Sequence, residues 1–121
     1  MKIALIIITI LIMSIVVSLI VLSKTSSSGS AGGLLNGKLQ KCPDKPNCVC
    51  SEQSGDTGHF IAPIVISGNS VSGALVIMKE IISALKGEIQ TDTGTYIAAT
   101  FSSSLFGFVD DVEMRIDSKQ N

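Results

Sequence analysis

Aromatic and basic residues are scarce in this chain of 121 residues, which has no tryptophan, one tyrosine and one histidine. So few aromatic rings leave little surface on which a nucleic-acid base or a sugar could stack. The nine lysines and arginines form no stripe that could follow a phosphate backbone, and the formal net charge is −1. A nucleic-acid partner is therefore not expected.

Motifs for nucleotide binding and for nucleophilic catalysis are also missing from the sequence. There is no glycine-rich phosphate loop and no dinucleotide fingerprint, and the single histidine, His59, is not near a serine in a nucleophile motif. These absences favour a protein that is not an enzyme and has no cofactor.

The most informative feature present is an apolar run from Ile3 to Leu22 that contains no charged residue. About twenty residues at about 1.5 Å each match the roughly 30 Å hydrocarbon core of a bilayer. Two interpretations stay open: a permanent signal anchor, which the length favours, or a cleavable signal peptide with its cleavage site just before Ala31. We predict a transmembrane signal anchor over residues 1–24, with the bilayer as the partner of residues 3–22.

The remainder divides into a linker and one small domain. Residues 25–33 are almost entirely serine and glycine, a composition typical of a flexible linker. Residues 34–121 are enough for one domain and not for two. The very short basic leader before the apolar run favours a cytoplasmic N-terminus, which would place this domain outside the cytoplasm.

The periodicity of the apolar residues predicts an α+β fold for the domain. Leu75, Met78, Ile82 and Leu85 recur at helical spacing within a helix over residues 72–86. Ser70 or Ser72 is the predicted N-cap, and Gly87 is predicted to take the left-handed conformation at the C-cap. Residues 88–91 and 95–101 are predicted strands, and residues 108–117 alternate between apolar and charged, as a strand with one wet face does. Residues 60–66 are apolar, but Pro63 limits them to an edge or irregular strand. We therefore expect one amphipathic helix packed on an antiparallel sheet.

Three cysteines lie in or beside a proline-containing loop, and two interpretations are possible. In an oxidising compartment Cys42 and Cys48 would form a structural disulfide that leaves Cys50 unpaired. Alternatively, Cys42, Cys48, Cys50 and His59 would bind zinc, although the ligands lack the Cys-x-x-Cys spacing that such sites use. The spacing favours the disulfide and predicts no metal site.

The acidic residues of the last strand are weaker candidates for a functional site. Asp111 and Glu113 fall on the solvated face, where carboxylates are common. Asp110 falls on the apolar side by its register, which is unusual for a carboxylate. Asp110, Asp111 and His59 are the residues that we single out, and we assign no catalytic residue.

Taken in order, these motifs resemble a family known as a domain of unknown function, DUF1499. The resemblance begins with residues 42–49 (Cys-Pro-Asp-Lys-Pro-Asn-Cys-Val) and continues through His59 with Pro63 and through residues 96–99 (Tyr-Ile-Ala-Ala). It ends with residues 108–113 (Phe-Val-Asp-Asp-Val-Glu), so that it covers nearly all of the chain after the linker.

The resemblance implies no activity and no catalytic residues, because the family has none established. Two departures from the family pattern are visible. Cys50 stands where the family typically has serine, and the chain ends at Asn121, before a polar arginine- and serine-rich segment that the family carries. The resemblance therefore implies a member that is incomplete at its C-terminus.

From these observations we expect a membrane-anchored protein with a binding or structural role at the membrane surface. The alternative is an enzyme or metal-binding protein that uses the cysteine loop, His59 and Asp110.

Overall fold

The computed structural model describes residues 1–26, 30–66 and 70–117. These residues form α1 (Lys2–Ser26), β1 (Leu34–Leu35), β2 (Lys38–Leu39), α2 (Val71–Ala84), β3 (Glu88–Asp92), β4 (Tyr96–Ser102) and β5 (Val109–Arg115). β1 and β2 pair as a short antiparallel hairpin, and β3, β4 and β5 form an antiparallel meander in that order. The predicted α+β fold is confirmed. Part of the predicted flexible linker, residues 27–29, lies outside the described residues.

Helix α1 contains the whole apolar run and continues past it through Ser26. It is long and apolar enough to cross a membrane, although a signal sequence near the N-terminus has the same features. The hydroxyl groups of Thr9, Ser18 and Thr25 each donate a hydrogen bond of 2.9 Å to the carbonyl oxygen four residues earlier. The hydroxyl groups of Thr9 and Ser18, two of the three polar residues in the run, are therefore satisfied within the helix, as a lipid environment requires.

Helix α2 begins and ends with capping interactions. The Ser70 hydroxyl accepts a hydrogen bond of 3.2 Å from the Gly73 amide, which confirms Ser70 as the N-cap. At the other end the left-handed residue is Lys86, with φ of 60°, and the prediction that Gly87 takes this conformation is wrong. The amides of Lys86 and Gly87 donate to the carbonyls of Ser83 and Ile82 at 3.0 and 2.8 Å, which is a Schellman motif.

The core lies between α2 and the three-stranded sheet. Ile82, Ile97 and Ala99 form its buried centre, and Leu75, Met78, Phe101 and Met114 pack around them. Leu85, which the helical pattern assigned to the buried stripe, is 65% exposed. Gly87 is required here because an added Cβ would lie 2.6 Å from Phe101 Cε1 and 2.9 Å from Ile82 Cγ2.

The apolar segment 60–66 does not form a strand. Its one ladder contact is an isolated parallel bridge between Phe60 and Cys50. Pro63 has no amide hydrogen and interrupts any ladder at this point. Ile64 and Val65 are consequently 89% and 78% exposed, although their side chains are fully apolar.

Candidate functional site

The cysteine loop is closed by the predicted bridge. Cys42 and Cys48 form a disulfide with their Cα atoms 5.7 Å apart. Cys50 is a buried free thiol and takes no part in that bridge. The bridge encloses Pro43 and Pro46, so both the covalent link and the fixed φ angles of proline restrict the loop.

His59 clamps this loop to the segment that follows it. Its Nδ1 lies 2.9 Å from Asp56 Oδ1, and its Nε2 lies 3.1 Å from the carbonyl oxygen of Lys45, inside the disulfide loop. A carbonyl and an ionised carboxylate can only accept, so both contacts are satisfied when both ring nitrogens carry hydrogen. The hydrogen bond to Asp56 is the main cause that raises the pKa of His59, and the same bond lowers the pKa of Asp56.

This geometry engages both ring nitrogens of His59 with acceptor oxygens, one on Asp56 and one on Lys45. Cys42 and Cys48 are bonded to each other, so they are not available as thiolate ligands. In residues 1–26, 30–66 and 70–117 no three His, Cys, Asp or Glu side chains are grouped so that they could hold a metal ion.

Asp110 and Asp111 are both exposed and lie on opposite faces of β5. Asp110 is paired with Phe101 and Asp111 with Thr100 on the neighbouring strand. Asp110 therefore shares the α2 side of the sheet, as its register predicted, but at the exposed beginning of the strand.

His59 contacts Asp56 and Lys45, and no hydrogen bond or ion pair among the described residues joins it to Asp110. Glu52, close to the cysteine loop in sequence, binds Arg115 at the end of β5, whereas Asp110 lies five positions earlier on that strand. Five residues of an antiparallel strand span about 17 Å. The alternative site that combines the cysteine loop, His59 and Asp110 stays a prediction.

An ion-pair network that the sequence did not reveal attaches the cysteine-loop segment to the sheet. The Arg115 guanidinium donates to Glu52 and, at 3.1 Å, to Asp117. Glu52 also accepts a hydrogen bond of 3.0 Å from the Leu39 amide in β2. The carboxylates raise the pKa of Arg115, with Glu52 as the largest cause. Sixty-three positions separate Glu52 from Arg115, and nothing in the local pattern marks them as partners.

A second polar contact that sequence reasoning missed lies on the sheet face opposite α2. The hydroxyl of the buried Tyr96 donates to Glu113, which also accepts a hydrogen bond of 2.6 Å from the Gly33 amide. Burial is the main cause that raises the pKa of Tyr96, and the Glu113 carboxylate adds to it. Glu113 was expected to be an ordinary solvated carboxylate, whereas it holds the chain before β1 against the sheet.

The end of α1 is bonded directly to β5. The Ser26 hydroxyl donates to the Val109 carbonyl oxygen at 2.8 Å and accepts from the Val109 amide at 3.0 Å. Gly107, in the loop before β5, lies close to α1, since an added Cβ would be 3.4 Å from Ser23 Oγ. The apolar helix and the sheet therefore meet at the end of the sheet where β5 begins.

An apolar groove of about 730 Å³ lies between α2 and β5. All of its lining side chains are apolar, and they come from α2, from the sheet and from residues 64–66. Ile81 and Val112, on opposite walls, are 53% and 37% exposed. The alternation in residues 108–117 predicted an apolar face for β5. It did not predict that part of this face would stay exposed in a groove.

The comparisons with known proteins agree with the sequence resemblance. The family model for DUF1499, described as a protein of unknown function, matches residues 38–121. This match includes the cysteine loop, α2 and the three-stranded sheet. No curated protein and no solved structure matches the chain. The chain belongs to the DUF1499 family.

Proposed function

We propose that this protein is a permanently membrane-anchored, non-enzymatic member of its family, whose extracytoplasmic domain has a binding or structural role at the membrane surface. The observation that carries the proposal is the pair of hydrogen bonds between Ser26, in the last turn of α1, and the backbone of Val109 in β5.

This junction supports retention of α1. Cleavage before Ala31 would remove Ser26 and leave the amide and carbonyl of Val109 without these partners. A hydrogen bond of this kind contributes about 0.5–1.5 kcal/mol net to stability, so the domain is more stable with α1 attached. The apolar run of α1 then has the length for a bilayer core.

The disulfide supports the extracytoplasmic side. Such bonds persist in oxidising compartments and are rare in the cytosol, where thiols are kept reduced. The bridge between Cys42 and Cys48 is therefore consistent with a domain outside the cytoplasm.

Intact-mass measurement of the protein from the membrane fraction tests the anchor. We expect the mass of the chain that begins at Met1, extracted by detergent and not by high salt. A mature N-terminus at Ala31 would overturn the proposed anchor.

Counting free thiols tests on which side of the membrane the domain lies. Cells are lysed in denaturant with a polymer-linked maleimide that shifts the protein on a gel once for each free thiol. In the proposed location only Cys50 reacts before reduction, and all three cysteines react after reduction. Three shifts without reduction would place the domain in a reducing compartment. A Cys50→Ser variant is the matched control, because it should show no shift before reduction.

A further inference from the structure

The apolar groove between α2 and β5 has the size and chemistry of a site for a hydrocarbon chain. Its volume of about 730 Å³ lies within the range of roughly 300–1,000 Å³ that is usual for small-molecule sites. Its lining offers no charged or polar side chain, so a polar ligand inside it would find no side-chain hydrogen-bond partner. An occupant must therefore be apolar.

The position of the groove relative to α1 indicates where such an occupant comes from. Ser26 binds Val109, and Val109 is paired with Ser102. The next pair along the sheet is Phe101 with Asp110, about 3.4 Å away, and Phe101 lines the groove. Phe101, in the lining of the groove, therefore lies one residue pair along the sheet from Val109, which the end of α1 binds through Ser26.

The same end of the domain carries further exposed apolar surface. Leu85, at the end of α2, lines the groove and is 65% exposed. Leu105, in the loop between β4 and β5, is 80% exposed, and Gly107 in that loop lies close to Ser23 of α1. With Ile3 to Leu22 in the hydrocarbon core, residues 23–26 lie at the interface, and the loop that carries Leu105 approaches them at Gly107.

We infer that the apolar groove receives an acyl chain of a phospholipid from the membrane in which α1 is anchored; the inference rests on the proposed function. The headgroup stays at the interface, near the end of α1. The chain passes between α2 and β5 and covers Ile81, Leu85 and Val112, which the described residues leave exposed. No covalent chemistry is involved.

Two other occupants fit the observations less well. A second copy that added a strand to β5 would need the outer edge of that strand, and Ser26 already occupies the edge at Val109. A water-soluble partner protein would have to reach a groove whose one end lies beside the anchor. A lipid of the same membrane is adjacent to the groove at all times.

Site-specific photocrosslinking in the full chain tests the inference. A benzophenone-bearing phenylalanine analogue replaces Leu85, in the groove, and in a parallel sample replaces Gln90, which is exposed on β3 and does not line the groove. After irradiation of intact membranes, intact-mass measurement identifies what is attached. We expect a phospholipid adduct at position 85 at a yield several-fold above that at position 90. The same spectrum gives the N-terminus, so that loss of the anchor and an empty groove are separate results.

Two matched substitutions show whether the lipid adduct at position 85 depends on the groove or only on the nearness of position 85 to the membrane. Ile81 and Val76 both lie on α2 and are 53% and 56% exposed, but only Ile81 lines the groove. With the reporter at position 85, Ile81→Glu should reduce the lipid adduct several-fold, and Val76→Glu should leave it unchanged. An adduct with a second copy or with another protein, equal yields at positions 85 and 90, or equal effects of the two substitutions would each overturn the inference.

Discussion

Different interactions stabilise the two sides of this small domain. On the side of α2, one buried centre of Ile82, Ile97 and Ala99 supplies the contact, and much apolar surface beside it stays open. On the side of the cysteine loop, a disulfide, the His59 clamp and the Glu52–Arg115 pair fix short segments that contain almost no regular structure.

The difference follows from geometry. A helix is about 10 Å across and strands are about 4.8 Å apart, so one helix covers about two strands of a sheet. α2 lies against β3 and packs on β4 through Ile97 and Ala99. On the third strand, β5, Met114 packs against the same core, and Val112 lines the open groove. Segments without regular structure have no such apolar face, so they depend on specific polar and covalent bonds.

The largest effect is expected at the centre of the apolar side. Ile82 is 2% exposed, and Ile82→Asp would place a charge in the core of a domain with little stability in reserve. We expect a loss of at least about 4 kcal/mol, which unfolds most of the protein. Urea unfolding followed by the near-ultraviolet circular dichroism of the single tyrosine, the buried Tyr96, measures it.

The control for this substitution is Ser83→Asp, on the neighbouring exposed position of α2. Lys79, on the same helix, is unsuitable because it forms an ion pair with Asp92 on β3. Equal midpoints for Ile82→Asp and Ser83→Asp would contradict the docking of α2 on the sheet.

The second prediction concerns the covalent link on the polar side. In the chain-entropy model, removal of a disulfide that closes so short a loop costs about 2–3 kcal/mol. The double variant Cys42→Ser, Cys48→Ser should lose this amount in urea unfolding, and Cys50→Ser, which breaks no bond, should lose less. If the double variant were as stable as the parent, the cysteine loop would not depend on its bridge.

The third prediction concerns the apolar side, where Gly87 lies close to Phe101 and Ile82. The Cβ of Gly87→Ala would lie within 2.9 Å of both Phe101 and Ile82, so one of these side chains must move. We expect a loss of about 1–3 kcal/mol, the usual cost of overpacking. Gly55→Ala is the matched control, since its Cβ would meet nothing within 4 Å. Similar losses in the two variants would show that α2 is packed loosely at its C-terminal end.

The smallest expected effect is a pH dependence of stability, caused by His59 on the side of the cysteine loop. The pKa of His59 is raised above 6.5 by Asp56, so the stability that this contact adds is fully present below that pH and is lost as the pH rises through the pKa of the folded state. The melting temperature should therefore fall as the pH rises from about 6.5 through the raised pKa of the folded state, and the fall should be smaller in His59→Gln. An identical profile in the parent and in the variant would contradict the clamp.

Much of the fold follows from local patterns. The alternation in residues 108–117 and the helical spacing of Leu75, Met78 and Ile82 predicted β5 and α2, because each pattern matches the geometry of one element. The cysteine pair was predicted for a similar reason, since a short proline-containing loop keeps both ends close. Segment 60–66 was apolar enough for a strand, but Pro63 and the absence of a continuous partner strand left it irregular.

The residues that join the elements were the ones that the sequence did not reveal. Glu113, Glu52 and Ser26 each appeared to be ordinary polar residues on a wet face or in a linker. Their partners, Tyr96, Arg115 and Val109, lie 17, 63 and 83 positions away in the chain. A single sequence carries no signal for such a pairing, because hydrogen bonds across long separations depend on how the elements pack.

The sequence by itself determined that a bilayer-length apolar helix precedes one small α+β domain, since hydrophobic length and periodicity are local properties. Only the tertiary structure decided that His59 clamps the cysteine loop, that the end of α1 is bonded to β5, and that an apolar groove opens beside that junction. The first two are hydrogen bonds between separate segments of the chain, and the third follows from one helix covering about two of three strands. All three are properties of packed elements rather than of any one segment.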